Sequence, residues 1–222
     1  MKQRISLTLG REELNLDSYV QIPGTNTIIA REESLKGKDW DETIEELSKE
    51  GLFMPPLASF IHYFMDVIKA SKGKTELFDG KGSPLPRAEV QDLYKKLTRN
   101  VWTWLDTMFV PGTGYGNLDM ETNHRAVNGN LTFKKIPLEK CLMEDGYASL
   151  RFNSQGLPVK KSRKHSYERE KNICFYYPRE NLVARFRADS VRADLDCGGI
   201  PRGFYGKIGV IACAKGTAGK NF

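Results

Sequence analysis

The sequence predicts an α+β fold in a single domain that spans residues 1–222. Two observations carry this prediction. Helical hydrophobic patterns dominate the first hundred residues, and short apolar runs between long polar connections dominate the last hundred. A chain of this length buries about 70% of its unfolded surface, so its core requires no disulfide or metal. A hydrophobic content of 40% is that of an ordinary globular protein.

The N-terminal elements are predicted to be strands. Residues alternate between polar and apolar in Arg4–Leu9, which is typical of a half-buried strand. The segments Tyr19–Ile22 and Thr27–Ala30 flank the turn residues Pro23–Asn26 and predict a hairpin. We expect Arg4–Leu9 to pair with a C-terminal strand, Ile208–Ala214, which would bring the ends of the domain together.

Three helices are predicted next. Asp39–Glu50 carries apolar residues at helical spacing and begins with a capping-box pattern. A continuous apolar stripe follows Pro55 and predicts a helix over Pro56–Ala70. The same spacing predicts a third helix over Arg87–Phe109. We expect the last two helices to pack on the sheet.

After Val110 the sequence predicts a loop-rich half with a mixed or antiparallel sheet. Glycine-rich turns and polar connections separate short apolar segments there. Four of these segments are predicted to be strands: Ala148–Phe152, Ile173–Tyr177, Leu182–Phe186 and Ile208–Ala214.

Composition and motifs argue against enzymatic chemistry. The four cysteines form no CxxC pair and the three histidines lie far apart, so neither a disulfide framework nor a metal site is expected. No nucleophile elbow, metalloprotease motif or paired-carboxylate arrangement stands out. We therefore expect no catalytic residues, no metal and no cofactor.

The chain is expected to be soluble. No run approaches the ~20 apolar residues that span a bilayer, and the N-terminus lacks the apolar region of a signal peptide. Association with a virion or a cell surface stays compatible with these features.

The segment Arg185–Gly206 has a regular face pattern. Phe186, Ala188, Ala193, Leu195 and Cys197 are expected to point one way from two strands joined near Ser190 and Val191. The residues between them are charged and are expected to point the other way. A loop with aromatic residues follows.

The residue alphabet of this segment is restricted. Lys, Glu, Gln, Met and Trp make up 49 of 222 residues, yet none of them occurs from Asn181 through Gly206. At the chain-wide frequency such an absence has a chance on the order of one in several hundred. Every residue that does occur is encoded when the first two bases of an Asn codon are randomised.

The stretch V-A-R-F-R-A-D-S-V-R-A-D-L-D-C-G-G-I-P-R-G-F-Y-G-K-I-G-V-I-A-C-A resembles the variable region of a diversity-generating retroelement variable protein. It is most similar to archaeal or archaeal-virus members of that family. The resemblance implies a C-type-lectin-like fold in which residues 181–214 form a hypervariable ligand-binding region. The calcium motifs of lectins are missing, so calcium-dependent sugar binding is not implied.

The resemblance implies a non-enzymatic protein that binds an unknown protein or glycan ligand, with attachment to a host or neighbouring cell as the expected role. Membrane insertion is not expected. The residues implied to bind the ligand are Arg185, Arg187, Asp189, Val191, Arg192, Asp194, Asp196, Gly198, Gly199, Ile200, Arg202, Gly203, Phe204, Tyr205 and Gly206.

Two alternatives stay open. A net charge of +6 and a pI near 9.0 permit a nucleic-acid-binding module that uses the basic loop Lys160–Lys171. Lys134 and Lys135 would add positive charge, and Tyr167, Tyr176 and Tyr177 would stack on bases. An enzyme on a lectin-like scaffold would need paired reactive cysteines, for which Cys197 and Cys213 are the nearest candidates. We expect neither nucleic acid nor catalysis.

Overall fold

The computed structural model describes residues 8, 9, 12–203, 206 and 208–216. Both helices and strands are present, which confirms the predicted α+β class. The helices are α1 (Trp40–Lys49), α2 (Leu57–Ser71) and α3 (Arg87–Leu97). The strands are β1 (Thr8–Leu9), β2 (Glu12–Glu13), β3 (Tyr19–Gln21), β4 (Thr27–Ala30), β5 (Trp102–Pro111), β6 (Leu118–Val127), β7 (Asn130–Pro137), β8 (Gly146–Ser149), β9 (Asn172–Tyr176), β10 (Leu182–Ala188), β11 (Ala193–Gly199), β12 (Ile208–Gly209) and β13 (Cys213–Lys215).

The central sheet is mixed. Its strands follow the order β7-β6-β5-β10-β11-β9-β8, and β12 lies beside β5. The pairs β11–β9 and β12–β5 are parallel, and the other pairs are antiparallel. A smaller sheet has the order β13-β4-β3, and β1 pairs with β2.

A separate cluster of buried apolar residues packs against each face of the central sheet. Phe186 on β10 packs against the rings of Phe60 and Phe64 on α2, at centroid distances of 5.1 and 4.7 Å. We call this side the helix face. Trp104 is buried on the opposite face, in a cluster that also contains Trp40 of α1. We call that side the charged face, because the charged residues of β10 and β11 lie on it.

Several predicted elements are confirmed. Strands β3 and β4 form the predicted antiparallel hairpin, with Val20 opposite Ile29. Helix α1 begins at the predicted capping box: Glu42 N donates to Asp39 Oδ1 at 2.8 Å, and Asp39 N donates to Glu42 Oε2 at 3.0 Å. Helix α2 buries the predicted apolar stripe.

The predicted pairing of Arg4–Leu9 with Ile208–Ala214 is wrong where the structure describes it. Thr8 and Leu9 pair with Glu12 and Glu13, while residues 4–7 lie outside the described residues. The C-terminal segment instead divides into β12, which pairs with β5, and β13, which pairs with β4. Strands from both ends of the chain therefore still meet, with β4 in the position expected for the first strand.

The predicted helix Arg87–Phe109 is wrong in its second half. Helix α3 ends at Leu97, Asn100 has a φ of +62°, and β5 begins at Trp102. The run from Val101 to Val110 is rich in β-branched and aromatic residues, which favour strands. Its apolar residues also fit a helical period. The segment is nevertheless a strand, because it pairs with β10 on one side and with β6 on the other.

Candidate ligand-binding face

Strands β10 and β11 pair as the face pattern predicts. Arg185 lies opposite Asp196 and Arg187 opposite Asp194. The turn between the strands is held by Asp189, whose Oδ1 accepts hydrogen bonds from Val191 N at 2.8 Å and from Arg192 N at 2.7 Å. The predicted strand pair, joined near Ser190 and Val191, is therefore confirmed.

The residues predicted to point inward form part of the core. Phe186, Ala188, Ala193, Leu195 and Cys197 are at most 3% exposed. They pack in the cluster beneath α2 on the helix face. These positions hold the two strands in place while their neighbours project from the charged face.

Asp194 is the centre of an ion triad. Its Oδ2 accepts from Arg187 Nε at 2.6 Å, and its Oδ1 accepts from Arg192 Nε at 2.5 Å. The Asp194 side chain is 0% exposed, whereas those of Arg187 and Arg192 are 24% and 40% exposed. The two guanidinium groups thus cover the carboxylate and compensate its charge.

A second ion pair lies beside this triad. Arg185 Nε and Nη2 donate to Asp196 Oδ2 at 2.9 and 2.7 Å. The other carboxylate oxygen of Asp196 accepts from Gly198 N at 2.8 Å. Every carboxylate oxygen of Asp194 and Asp196 therefore has a donor.

Residues outside the predicted set complete the charged face. The guanidinium carbons of Arg185 and Arg187 lie 4.6 and 4.7 Å from the ring centroid of Trp102 on β5. Arg192 Nη2 donates to the Tyr176 hydroxyl at 2.7 Å. Arg–aromatic contacts of this kind are attractive and orient the guanidinium plane. Sequence reasoning missed Trp102 because it placed that residue in a helix.

Three of the predicted ligand-binding residues are more buried than expected. Asp194 and Asp196 lie on the predicted face but are buried, and Gly199, which was predicted to lie in the loop, is a buried residue of β11. The arginines cover the two aspartates. Gly199 lies against Trp104, and a Cβ there would stand 3.0 Å from the Val183 carbonyl oxygen. The alternation of residues along a strand predicts on which face of the sheet a side chain lies. It does not predict whether other side chains cover it.

The exposed part of the predicted face lies at its two ends. Val191 in the β10–β11 turn and Ile200 after β11 are 74% and 55% exposed. The Arg202 side chain is 83% exposed and its Nε donates to Asp41 at 2.8 Å. Gly203 is half-buried and Gly206 is exposed. Phe204 and Tyr205 lie outside the described residues.

Electrostatics stabilise the ionised arginine and disfavour reactive thiolates. The hydrogen bond that Arg192 donates to Asp194 raises the pKa of Arg192. Burial, and then the charge of Asp194, raises the pKa of the Cys174 thiol. Burial raises the pKa of Cys197 and of Cys213 above the usual thiol value, and both side chains are 0% exposed. A thiol in such surroundings is a poor nucleophile.

The basic loop is partly neutralised by its neighbours. Lys161 pairs with Glu144 at 3.0 Å, and Lys164 and Lys171 both pair with Glu168, at 3.1 and 3.0 Å. Glu144 and Glu168 thus offset two positive charges of the loop, which lowers its attraction for a phosphate backbone.

The tyrosines of the alternative nucleic-acid interface are also occupied. Tyr176 accepts from Arg192, Tyr177 packs beneath the Arg179 guanidinium at 4.5 Å, and Tyr167 packs against the core. Stacking with bases requires a free ring face. Tyr177, with one ring face beneath Arg179, and Tyr167, which packs against the core, therefore offer limited stacking surface. The contact of Tyr176 uses only its hydroxyl.

Comparison of the chain with protein-family models, with curated proteins and with solved structures finds no match in any of the three. Within the described ranges, no cluster of three or more His, Cys, Asp or Glu residues is arranged to hold a metal ion. The helices of the same part of the chain include none that is long and apolar enough to cross a membrane.

Proposed function

We propose that this chain is a non-enzymatic binding protein whose ligand-binding surface is the charged face of β10 and β11 with the loop that follows. A retroelement diversifies this surface. One observation carries the proposal: the register of β10 and β11 places an apolar framework on the helix face and the charged residues of both strands on the charged face. A diversified protein needs such a separation, because substitutions in the framework would unfold it.

The restricted alphabet supports the same proposal. Lys, Glu, Gln, Met and Trp are missing from residues 181–206, and these are residues that randomised Asn codons do not produce. The restriction extends over both strands and the loop. An ordinary salt-bridged sheet face has no reason to avoid Lys and Glu, which are common on protein surfaces.

The architecture is compatible with a C-type-lectin-like fold. Helices α2 and α3 pack together beside the central sheet, and α2 contacts β5. The strand β13 near the C-terminus pairs with β4 near the N-terminus, as Cys213 lies opposite Ile29. These features support a C-type-lectin-like fold, which we propose for this chain.

The surface has the composition of a recognition site. Arginine and aromatic residues contribute most to binding energy at protein interfaces. Here Trp102 and Tyr176 hold Arg185, Arg187 and Arg192 in fixed orientations, which reduces the entropy lost when a ligand binds. We propose a protein or glycan on a host or neighbouring cell as the ligand.

Mutation of the exposed positions tests this proposal. The variant Val191→Glu/Ile200→Glu/Arg202→Glu should lose binding to intact candidate host cells and to immobilised glycans. The control variant Val127→Glu changes a residue that is 51% exposed on the β6–β7 hairpin, and it should bind as the unchanged protein does. If the triple variant binds as strongly as the unchanged protein, or if only the control loses binding, the ligand site lies elsewhere.

A further inference from the structure

The β6–β7 hairpin presents an unpaired strand edge with apolar side chains. Strand β7 is the last strand on its side of the central sheet, and no described residue pairs with its outer edge. Leu131 and Phe133 are 47% and 48% exposed. The strand at the opposite edge, β8, is covered by a neighbouring segment. Ser149 N of β8 donates to the Lys160 carbonyl oxygen, and Ser162 N donates to the Tyr147 carbonyl oxygen of β8. An unpaired edge is a template for pairing with another strand, and the exposed Lys134 and Lys135 restrict the registers in which this edge can pair.

Hydrogen-bond directions show which residues of β7 face outward. The hairpin turns through Asn128 and Gly129, both with positive φ. Ala126 lies opposite Leu131, and its N–H donates to Ser48 Oγ at 2.9 Å instead of to β7. The Ala126–Leu131 pair is therefore not hydrogen-bonded, and the N–H and C=O groups of Leu131 point away from β6. Those of Phe133, two residues further along, do the same.

We infer that β7 is a dimerisation edge and that its partner is β7 of a second copy of this chain. An antiparallel register with a twofold axis at Thr132 places Leu131 opposite Phe133 of the second copy, and Phe133 opposite Leu131 of the second copy. Both pairs are hydrogen-bonded through their outward N–H and C=O groups. Four apolar side chains then meet on one face.

The charges favour this register over its neighbours. Like charges directly opposite each other destabilise a strand pair. With the axis at Thr132, Lys134 lies opposite Asn130 of the second copy and Lys135 lies opposite Gly129. A shift of the axis to Phe133 or Lys134 would bring lysines of the two copies toward each other. A shift to Leu131 would instead place Phe133 opposite Gly129 of the second copy, which has no side chain to pack against it. Charge thus disfavours one direction of shift, and apolar contact disfavours the other.

The dimer has a consequence that rests on the proposed function. Residues directly opposite in an antiparallel pair share one face of the sheet, so the charged faces of both copies point to the same side. Two ligand-binding faces on one side permit bivalent attachment to a surface that carries many ligands, with a large gain in avidity.

Oligomeric state tests the dimer without any ligand, so its failure is separate from failure of the proposed function. Sedimentation equilibrium from micromolar to near-millimolar protein should show a reversible dimer. Phe133→Lys should be monomeric over that range, whereas Val127→Lys, on the same hairpin but outside the contact, should dimerise as before. A monomer for the unchanged protein would overturn the inference, as would a dimer that Phe133→Lys leaves intact.

Cross-linking tests the register. Thr132 and Thr132 of the second copy would form a pair that is not hydrogen-bonded, with Cα atoms about 4.5 Å apart, which is within disulfide range. Thr132→Cys should oxidise to a covalent dimer. Lys134→Cys should not, because its equivalent in the second copy is roughly 14 Å away. Efficient cross-linking of Lys134→Cys together with none of Thr132→Cys would refute the register.

Discussion

Replacing Asp194 with Asn tests the ion triad on the charged face. The substitution keeps the shape of the side chain and removes its charge. Arg187 and Arg192, which donate to Asp194 at 2.6 and 2.5 Å, then face each other without the carboxylate between them. One amide oxygen can still accept a hydrogen bond, while the amide nitrogen faces a donor.

The cost follows from the burial of the three groups. Removal of one partner from a fully buried ion pair destabilises by about 3–5 kcal/mol, and removal from an exposed pair by less than about 1 kcal/mol. Asp194 is 0% exposed, but the side chains of Arg187 and Arg192 are 24% and 40% exposed and reach water once released. We therefore expect the free energy of unfolding to fall by about 2–3 kcal/mol.

Urea denaturation measures this change through the midpoint and slope of unfolding. The matched control is Asp41→Asn, because Asp41 pairs with Arg202, whose side chain is 83% exposed. The control should lose less than about 1 kcal/mol, because it removes an exposed ion pair and one charge from the first turn of α1. A loss of that small size for Asp194→Asn would refute the claim that the Asp194 carboxylate is buried and compensated by the two arginines.

Three further predictions follow from packing and from thiol burial. Gly209→Ala should destabilise by about 2 kcal/mol or more in urea denaturation, because its Cβ would stand 2.6 Å from Glu33 Cγ. In the Glu33→Ala background, which itself loses the ion pairs with Lys36 and Arg99, the same substitution should cost much less. Val191→Thr and Val191→Arg should change stability by less than about 0.5 kcal/mol, since Val191 is 74% exposed; a thermal shift of several degrees would contradict this. Burial raises the pKa of Cys141 from 9.0 to about 11, so the stability due to its neutral thiol is complete below pH 9 and lost as the pH rises to about 11. The unchanged protein should therefore lose more stability than Cys141→Ala over this range, and parallel pH profiles would disprove the assignment.

Local sequence patterns were sufficient to predict the elements that depend on local interactions. The capping box of α1 and the apolar stripe of α2 identify both helices because caps and helical faces are set within a few residues. The alternation in β10 and β11 likewise predicts which residues reach the core. Each of these features is confirmed in the structure.

Features that depend on distant partners were not predictable. Strand β5 is flanked by β10 and β6, and that pairing overrides a helical spacing that continues from α3 through Trp104. The contacts of Trp102 with Arg185 and Arg187 join residues more than eighty positions apart. The burial of Asp194 also depends on arginines that fold over it. Alternation alone does not contain that information.

The most direct test of the proposed function is the sequence of the gene's 3′ end and its flanks across a natural population. We predict a near-copy of the segment that encodes Arg185–Gly206, differing only at adenines and close to a reverse-transcriptase gene. Natural variants at Asp194 should also change Arg187 or Arg192, because the buried carboxylate depends on both. An invariant 3′ end without a second copy nearby would contradict the proposal that this face is diversified.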